Sequence, residues 1–236
     1  MEQYLDSITD SAGRIADALR TGPLDAPVRA CPGWDLAELG RHIGYIHRWA
    51  RVATLHGARP ADDDIEAPPP ADDLADWVEQ GAAALNSVFA GLDPATPTWH
   101  PFPVAKVAAV WPRRQASETL IHAWDAQDAV GGSRSLDPLM ASDGIAEYFE
   151  VIVPRIISRT DRVAPTGTIE VTSTDTGLRL VVVSDSTGVL LEPTATPEAS
   201  LSGSATELAL ALWGRIALDE PPEHPLALGW LSFGGN

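Results

Sequence analysis

The stretch R-R-Q-A-S-E-T-L-I-H-A-W-D-A-Q-D, Arg113 to Asp128, puts a carboxylate and an imidazole one turn apart inside an otherwise amphipathic run. At about 100° per residue, Glu118 and His122 stand about 40° apart on one helix face. Asp125 falls about 20° from Glu118 on the same stripe, and Arg114 lies one turn before it. Two readings compete. Arg114 and Glu118, at i,i+4, can form a surface ion pair worth a few tenths of a kcal/mol. Alternatively, the stripe is half of a metal site in a helical bundle, where an unpaired buried carboxylate would be costly.

The neighbouring sequence favours a bundle. Tyr4 to Leu19 predicts a first amphipathic helix that stops before Thr21-Gly22-Pro23. In C-P-G-W-D-L-A-E-L-G-R-H-I-G-Y-I-H-R-W-A-R-V-A-T-L-H-G, Cys31 to Gly57, Asp35 and Glu38 form a capping-box pattern and Gly57 is a natural stop. The Pro- and Asp-rich Ala58 to Ala71 reads as a loop, and Asp72 to Ala90 as a third helix ending at Gly91. Leu92 to Pro112 holds five prolines and reads as irregular. Arg113 to Val130 is the fourth helix, closed by Gly131-Gly132, and Asp137 to Arg159 is helical with a bend near Pro154.

On the second helix the apolar stripe is Leu39, Ile43, Ile46, Ala50 and Ala53. With Leu39 at zero, His42 falls at about −60° and His47 at about +80°. Being roughly 140° apart, the two cannot easily share one ion. His42 is the one nearer the interior, and His47 is expected at an edge with its own hydrogen-bond partner. His42, Glu118 and His122 would make a two-histidine, one-carboxylate set. For zinc such a set leaves a position open for water, thiol or substrate, and iron(II) accepts it too. Asp125 is then an outer partner or an occasional fourth ligand.

After Pro165 the pattern changes. T-I-E-V-T-S, L-R-L-V-V-V-S and G-V-L-L-E are β-branched runs separated by Asp, Thr and Gly. A helix follows, opened by a second capping box at Ser204 and Glu207. The expected organisation is therefore a helical domain over 1–160 and a small α+β domain over 161–236, with a short sheet and a terminal helix.

Composition narrows the partners. The chain has 236 residues, is 44% hydrophobic and 21% charged, and carries 33 acidic against 16 basic residues for a net charge of −17. No Lys/Arg-rich run is present, which argues against a nucleic-acid partner. No segment approaches the roughly 18 apolar residues of a membrane span. M-E-Q-Y-L-D-S has neither a basic n-region nor an apolar h-region, so the cytoplasm is the expected compartment. Cys31 is the one cysteine, which excludes an internal disulfide and a C-x-x-C motif; it is expected as a small buried residue. Trp34, Trp49, Trp124 and Trp213 lie near the motifs and are expected mainly as packing residues.

Three segments carry a family likeness: Cys31 to Ala50, E-T-L-I-H-A-W-D-A-Q from Glu118, and G-S-A-T-E-L-A-L-A-L-W-G-R ending at Arg215. Together they resemble the mycothiol-dependent maleylpyruvate isomerase family, whose N-terminal part is a DinB-like four-helix bundle. The family's H-L-G is H-I-G here. The resemblance implies a divalent metal, usually zinc, on His42, Glu118 and His122, with Arg215 implicated in activity. It further implies the low-molecular-weight thiol mycothiol, held as thiolate by the metal, and a small electrophilic substrate. In the implied isomerisation, sulfur adds to the conjugated double bond of maleylpyruvate, the new single bond rotates, and elimination gives fumarylpyruvate. The same first step would serve thiol transfer. Arg215 would hold a substrate carboxylate; read without the family, it complements the dipole at a helix C-terminus. Two alternatives share the metal set: a metal-binding module without catalysis, and a metal-assisted hydrolase with Asp125 as base.

Overall fold

The computed structural model describes residues 1–132 and 134–234. The chain forms two compact units, residues 1–101 with 105–135, and residues 102–104 with 136–236.

The first unit is a four-helix bundle. Helix α1 (Glu2–Thr21) buries Ile8, Ala12, Ile15 and Leu19, the i, i+4, i+7, i+11 stripe of an amphipathic helix. Helix α2 (Leu36–His56) begins at the expected cap: Glu38 N–H donates to Asp35 Oδ1 at 2.8 Å, and Asp35 N–H donates to Glu38 Oε2 at 3.0 Å. It ends at Gly57, whose φ of 61° is left-handed and suits glycine. Helices α3 (Leu74–Ala90) and α4 (Val110–Ala129) complete the bundle, and α1 and α2 each pack against both of them. Helix α4 starts three residues earlier than the sequence suggests. Pro112 sits in its first turn, where a missing N–H breaks no intrahelical bond.

Helix α2 reaches α3 through a glycine. A Cβ on Gly44 would stand 2.2 Å from the Trp77 ring, so the indole, itself 4% exposed, lies directly against the α2 backbone. Leu39, Ile43, Ala50 and Ala53 of the expected stripe are buried, and this contact widens the buried face of α2 beyond them. Gly40, Gly44 and His47 are enclosed, while Ile46 is only half-buried. Apolar periodicity could not show that face, because glycine contributes no hydrophobic signal.

The second unit joins helices to one sheet. Helix α5 (Pro138–Glu147) is capped by Asp137, whose Oδ1 accepts from Met140 N–H at 2.9 Å. The expected bend is a π-helical turn over Tyr148–Ile152, leading into α6 (Val153–Arg159). Pro154 has no N–H and its ring crowds the carbonyl one turn back, so the wider turn relieves a clash. Strands β1 (Gly167–Ser173), β2 (Arg179–Asp185) and β3 (Gly188–Leu191) form an antiparallel meander. Strand β4 (Ala199–Gly203) pairs parallel to β1, giving the order β3-β2-β1-β4. Ile169, Val171, Val182 and Leu201 are buried in the core. Helix α7 (Ala205–Leu212) starts at the predicted Ser204/Glu207 capping box, and α8 (Pro225–Phe233) packs on β1, β4 and α7.

Strand β4 and helix α8 are additions to the expected elements. A-S-L-S-G is too short and too polar to stand out, and α8 hides behind a Pro-rich approach. The compact units divide after Ser135 rather than near residue 160, because α5 packs on α7. The change of secondary structure type near 160 is not a change of packing partner.

Candidate metal centre

Helix α4 is buried along nearly its whole length, including its polar stripe. The Arg114 side chain is 3% exposed and that of Asp125 0%. The solvated-face reading of the stripe is therefore wrong: the Arg114–Glu118 pair, with Nη2 donating to Oε2 at 2.9 Å, joins a buried guanidinium to a half-buried carboxylate. Burial made it unrecognisable from sequence, since i,i+4 charge pairs are ordinary on surfaces.

Around Glu118 the side chains converge. His42 Nε2, from α2, lies 3.2 Å from Glu118 Oε1, and His122 Nε2 lies 3.6 Å from the same oxygen. One donor atom from each of His42, Glu118 and His122 falls within 4.8 Å of the others. On the opposite side of its ring, His122 Nδ1 lies 3.0 Å from Asp125 Oδ2. Cys31 Sγ donates to the same oxygen at 3.9 Å. The Trp34 indole covers both rings, its centroid 4.8 Å from His42 and 6.1 Å from His122.

The electrostatics follow from this packing. Burial pushes the Glu118 carboxyl up, but hydrogen bonds from His122 and His42 and the Arg114 charge hold it well below the usual carboxylate range. Burial pulls His122 down, yet Asp125, Cys31 and Glu118 carry it well above an ordinary imidazole. Arg114 occupies Glu118 Oε2, which leaves Oε1 to face the imidazoles.

The two histidines of α2 reverse their expected burial. His47 is fully enclosed, with Nε2 2.9 Å from Thr119 Oγ1, while His42 is half-buried beside Glu118. The Thr119 hydroxyl already donates to the Gln115 carbonyl at 2.7 Å, so it accepts from His47 Nε2–H. The glycine-lined face of α2 explains the reversal.

Cys31 is half-buried beside Asp125, not a plain packing residue. Neither Cys31 nor Trp34 stood out as functional. The signal was their nearness to the Asp35 cap: Trp34 N–H donates to Cys31 O at 3.0 Å, and this turn lays both residues beside the first turns of α2. Trp49 packs edge-on against Trp99 and Trp111, at 5.7 Å from each. His224 caps α8 by accepting from Leu226 N–H at 3.2 Å. Arg215 belongs to the second unit, just past α7, and its Nη1 donates to Trp213 O at 2.8 Å.

Fold and cluster together define the class: a helical bundle gathering two imidazoles and a carboxylate, followed in the chain by a small α+β unit. The sequence model described as the mycothiol maleylpyruvate isomerase N-terminal domain matches residues 5–127, and the C-terminal domain model of the same family matches residues 140–231. The chain belongs to this family. Two crystal structures of the mycothiol-dependent maleylpyruvate isomerase share the fold. One, of a histidine-to-alanine mutant, has a TM-score of 0.60 at 16% identity, and the other has 0.59 at 14%. Each alignment covers 91% of this chain and 89% of the other. No curated protein matches the chain.

Proposed function

We propose that this protein is a thiol-dependent isomerase that holds a divalent cation, zinc, on His42, Glu118 and His122. Its thiol would be mycothiol, and its substrate a small electrophile carrying a carboxylate, of the maleylpyruvate kind. The observation that carries the reading is the convergence of three donor atoms from two helices. Zinc–ligand distances of about 2.1 Å in a tetrahedron set ligand atoms about 3.4 Å apart. The separations of 3.2 and 3.6 Å around Glu118 Oε1 fit that spacing, and the third, between the two imidazoles, lies within 4.8 Å. Three ligands from the protein leave one position for an exogenous group. When bound there, the cation stabilises a thiolate over its thiol at neutral pH.

The chain's own residues prepare that position. Asp125 Oδ2 stands 3.0 Å from His122 Nδ1, and with a cation taking the place of the Nε2 proton the ring would present the lone pair of Nε2 to the cluster. Arg114 fixes Glu118 so that one oxygen faces inward. Trp34 walls the two rings and limits water around them. Arg215 is proposed to bind the substrate carboxylate, which rests on the family likeness of the L-W-G-R segment. The hydrolase alternative needs Asp125 as a base at the open position, and Asp125 is instead engaged at the far nitrogen of His122. Thiol transfer to an electrophile uses the same residues and differs only in the fate of the adduct. Among the described residues no helix is long and apolar enough to cross a membrane. A cytoplasmic setting suits the reading, because reduced low-molecular-weight thiols are kept there.

The test pairs elemental analysis with turnover. The protein should hold about one zinc per chain and convert maleylpyruvate only when mycothiol is present, and His42→Ala should lose both the metal and the turnover. Full metal stoichiometry in His42→Ala would remove that ligand from the scheme. Bound metal without turnover of any thiol and electrophile pair would favour a binding module.

A further inference from the structure

A second group of donor atoms meets at the far ring nitrogen of His122. Asp125 Oδ2 lies 3.0 Å from His122 Nδ1 and 3.9 Å from Cys31 Sγ, and the three donor atoms all fall within 4.8 Å of one another. We propose that Cys31, Asp125 and His122 form a second cation position, taking thiophilic divalent ions such as cadmium, or zinc supplied beyond one equivalent.

The spacing fits a real coordination polyhedron. Zinc–sulfur bonds of about 2.3 Å and zinc–nitrogen or zinc–oxygen bonds of about 2.1 Å place sulfur about 3.6 Å from oxygen and nitrogen about 3.4 Å from oxygen. The observed 3.9 and 3.0 Å each lie within a few tenths of an ångström of these values, and the third separation, from Cys31 to His122, lies within 4.8 Å. Ligand chemistry sets the selectivity: one sulfur beside one imidazole favours zinc and cadmium over magnesium or calcium, which take oxygen ligands. Two of the donors are buried and fixed on α4. The third, Cys31, is half-buried in a short turn, with its N–H bonded to Val28 O at 3.0 Å, so an ion can reach the position from that side.

This position goes beyond the activity proposed above and is separable from it. His42 and Glu118 belong only to the first set, Cys31 and Asp125 only to the second, and His122 alone is shared, through opposite nitrogens. An ion in the second position displaces the Nδ1 proton of His122 and the Cys31 thiol proton to solvent, so His122 bridges the two ions as an imidazolate and Asp125 turns from the ring to the ion. Excess thiophilic metal should then weaken the first set.

Cadmium titration of the zinc-loaded full chain, followed by thiolate-to-metal absorption in the ultraviolet and by elemental analysis, tests the proposal. Cys31 is the one cysteine, and the first set has no sulfur, so any such band reports this position alone. The band should saturate at about one ion per chain, vanish in Cys31→Ser, persist in His42→Ala, and need at least about tenfold more cadmium in Asp125→Asn. No saturable band in the wild type would overturn the proposal. So would Asp125→Asn and His122→Ala titrating like wild type, since a lone thiol would then be the ligand. A band in a protein that takes up no zinc would sink the proposed function and leave this position standing.

Discussion

Replacing Asp125 by asparagine isolates the part of the centre that no direct ligand supplies. The substitution keeps size and shape and leaves an oxygen facing His122 Nδ1; the carboxylate stands 3.0 Å from that nitrogen, an ion-pair contact that a small ring rotation turns into a hydrogen bond. What is lost is the charge. A hydrogen bond to a charged partner contributes about 1.5–3 kcal/mol, and a neutral one about 0.5–1.5 kcal/mol. The difference of about 1–1.5 kcal/mol corresponds to roughly tenfold in an equilibrium constant. Asp125→Ala removes the partner altogether and should approach the hundredfold end of the range seen for outer-shell partners of metal-bound histidine. Competition with a chelator of known zinc affinity reads both values at the first equivalent. A graded loss, Asn less than Ala, is expected, with the thermal melt of the metal-free protein nearly unchanged for Asn. Unchanged affinity in both variants would show that the ring needs no orienting carboxylate. Complete loss in Asp125→Asn would make Asp125 a direct ligand. Either result refutes the assignment of His122 Nε2 to the first set with Nδ1 held behind it.

Two further predictions concern the scaffold. Gly44→Ala drives a methyl into the Trp77 ring, within 2.2 Å if nothing moves; overpacking of this kind costs about 1–3 kcal/mol, and a melt should show Tm lower by roughly 2–4 °C per kcal/mol. An unchanged Tm would mean that α2 and α3 are not locked at this contact. His47 is held neutral mainly by burial and further by the Arg48 and His42 charges, against Glu118, which pulls the other way; its pKa is lowered from 6.5 to about 4. The folded state therefore binds fewer protons than the unfolded chain between about pH 6.5 and pH 4. Stability from this group is complete above pH 6.5 and falls as the pH drops through that window, by about 2 kcal/mol between pH 7 and pH 5. Urea unfolding at the two pH values should show that loss in wild type and a smaller one in His47→Gln, and equal slopes would show that His47 titrates freely.

Much of the bundle was legible in the sequence because its signals are local. The Asp35 and Ser204 capping boxes and the Gly57 stop are satisfied within a few residues, so tertiary context could not overrule them. The stripe of Glu118, His122 and Asp125 was legible for the same reason, as helix periodicity alone puts the three on one face. What stayed hidden depended on contacts between elements. The burial order of His42 and His47 is set by Trp77 lying on Gly44, a contact with residues more than thirty positions apart. Cys31 reaches Asp125 across ninety-four positions, and no spacing rule connects them. Strand β4 draws its identity from pairing with β1, not from its own small polar residues.

The same contrast bears on why the polar cluster belongs to this fold. Buried ion pairs such as Arg114–Glu118 seldom stabilise a core more than apolar residues of the same volume would. A bundle shaped by stability alone would place leucines at those positions on α4. Here, Arg114, Glu118, His122 and Asp125 occupy successive turns of the most buried helix of the bundle, and each touches another member of the set. Arg114 and Asp125 stand at the two ends and leave the inward-facing atoms of Glu118 and His122 to His42. Enclosing such groups is costly in the absence of a ligand that uses the arrangement, and the proposed divalent cation would meet that requirement, since the donor atoms of His42, Glu118 and His122 already lie within 4.8 Å of one another.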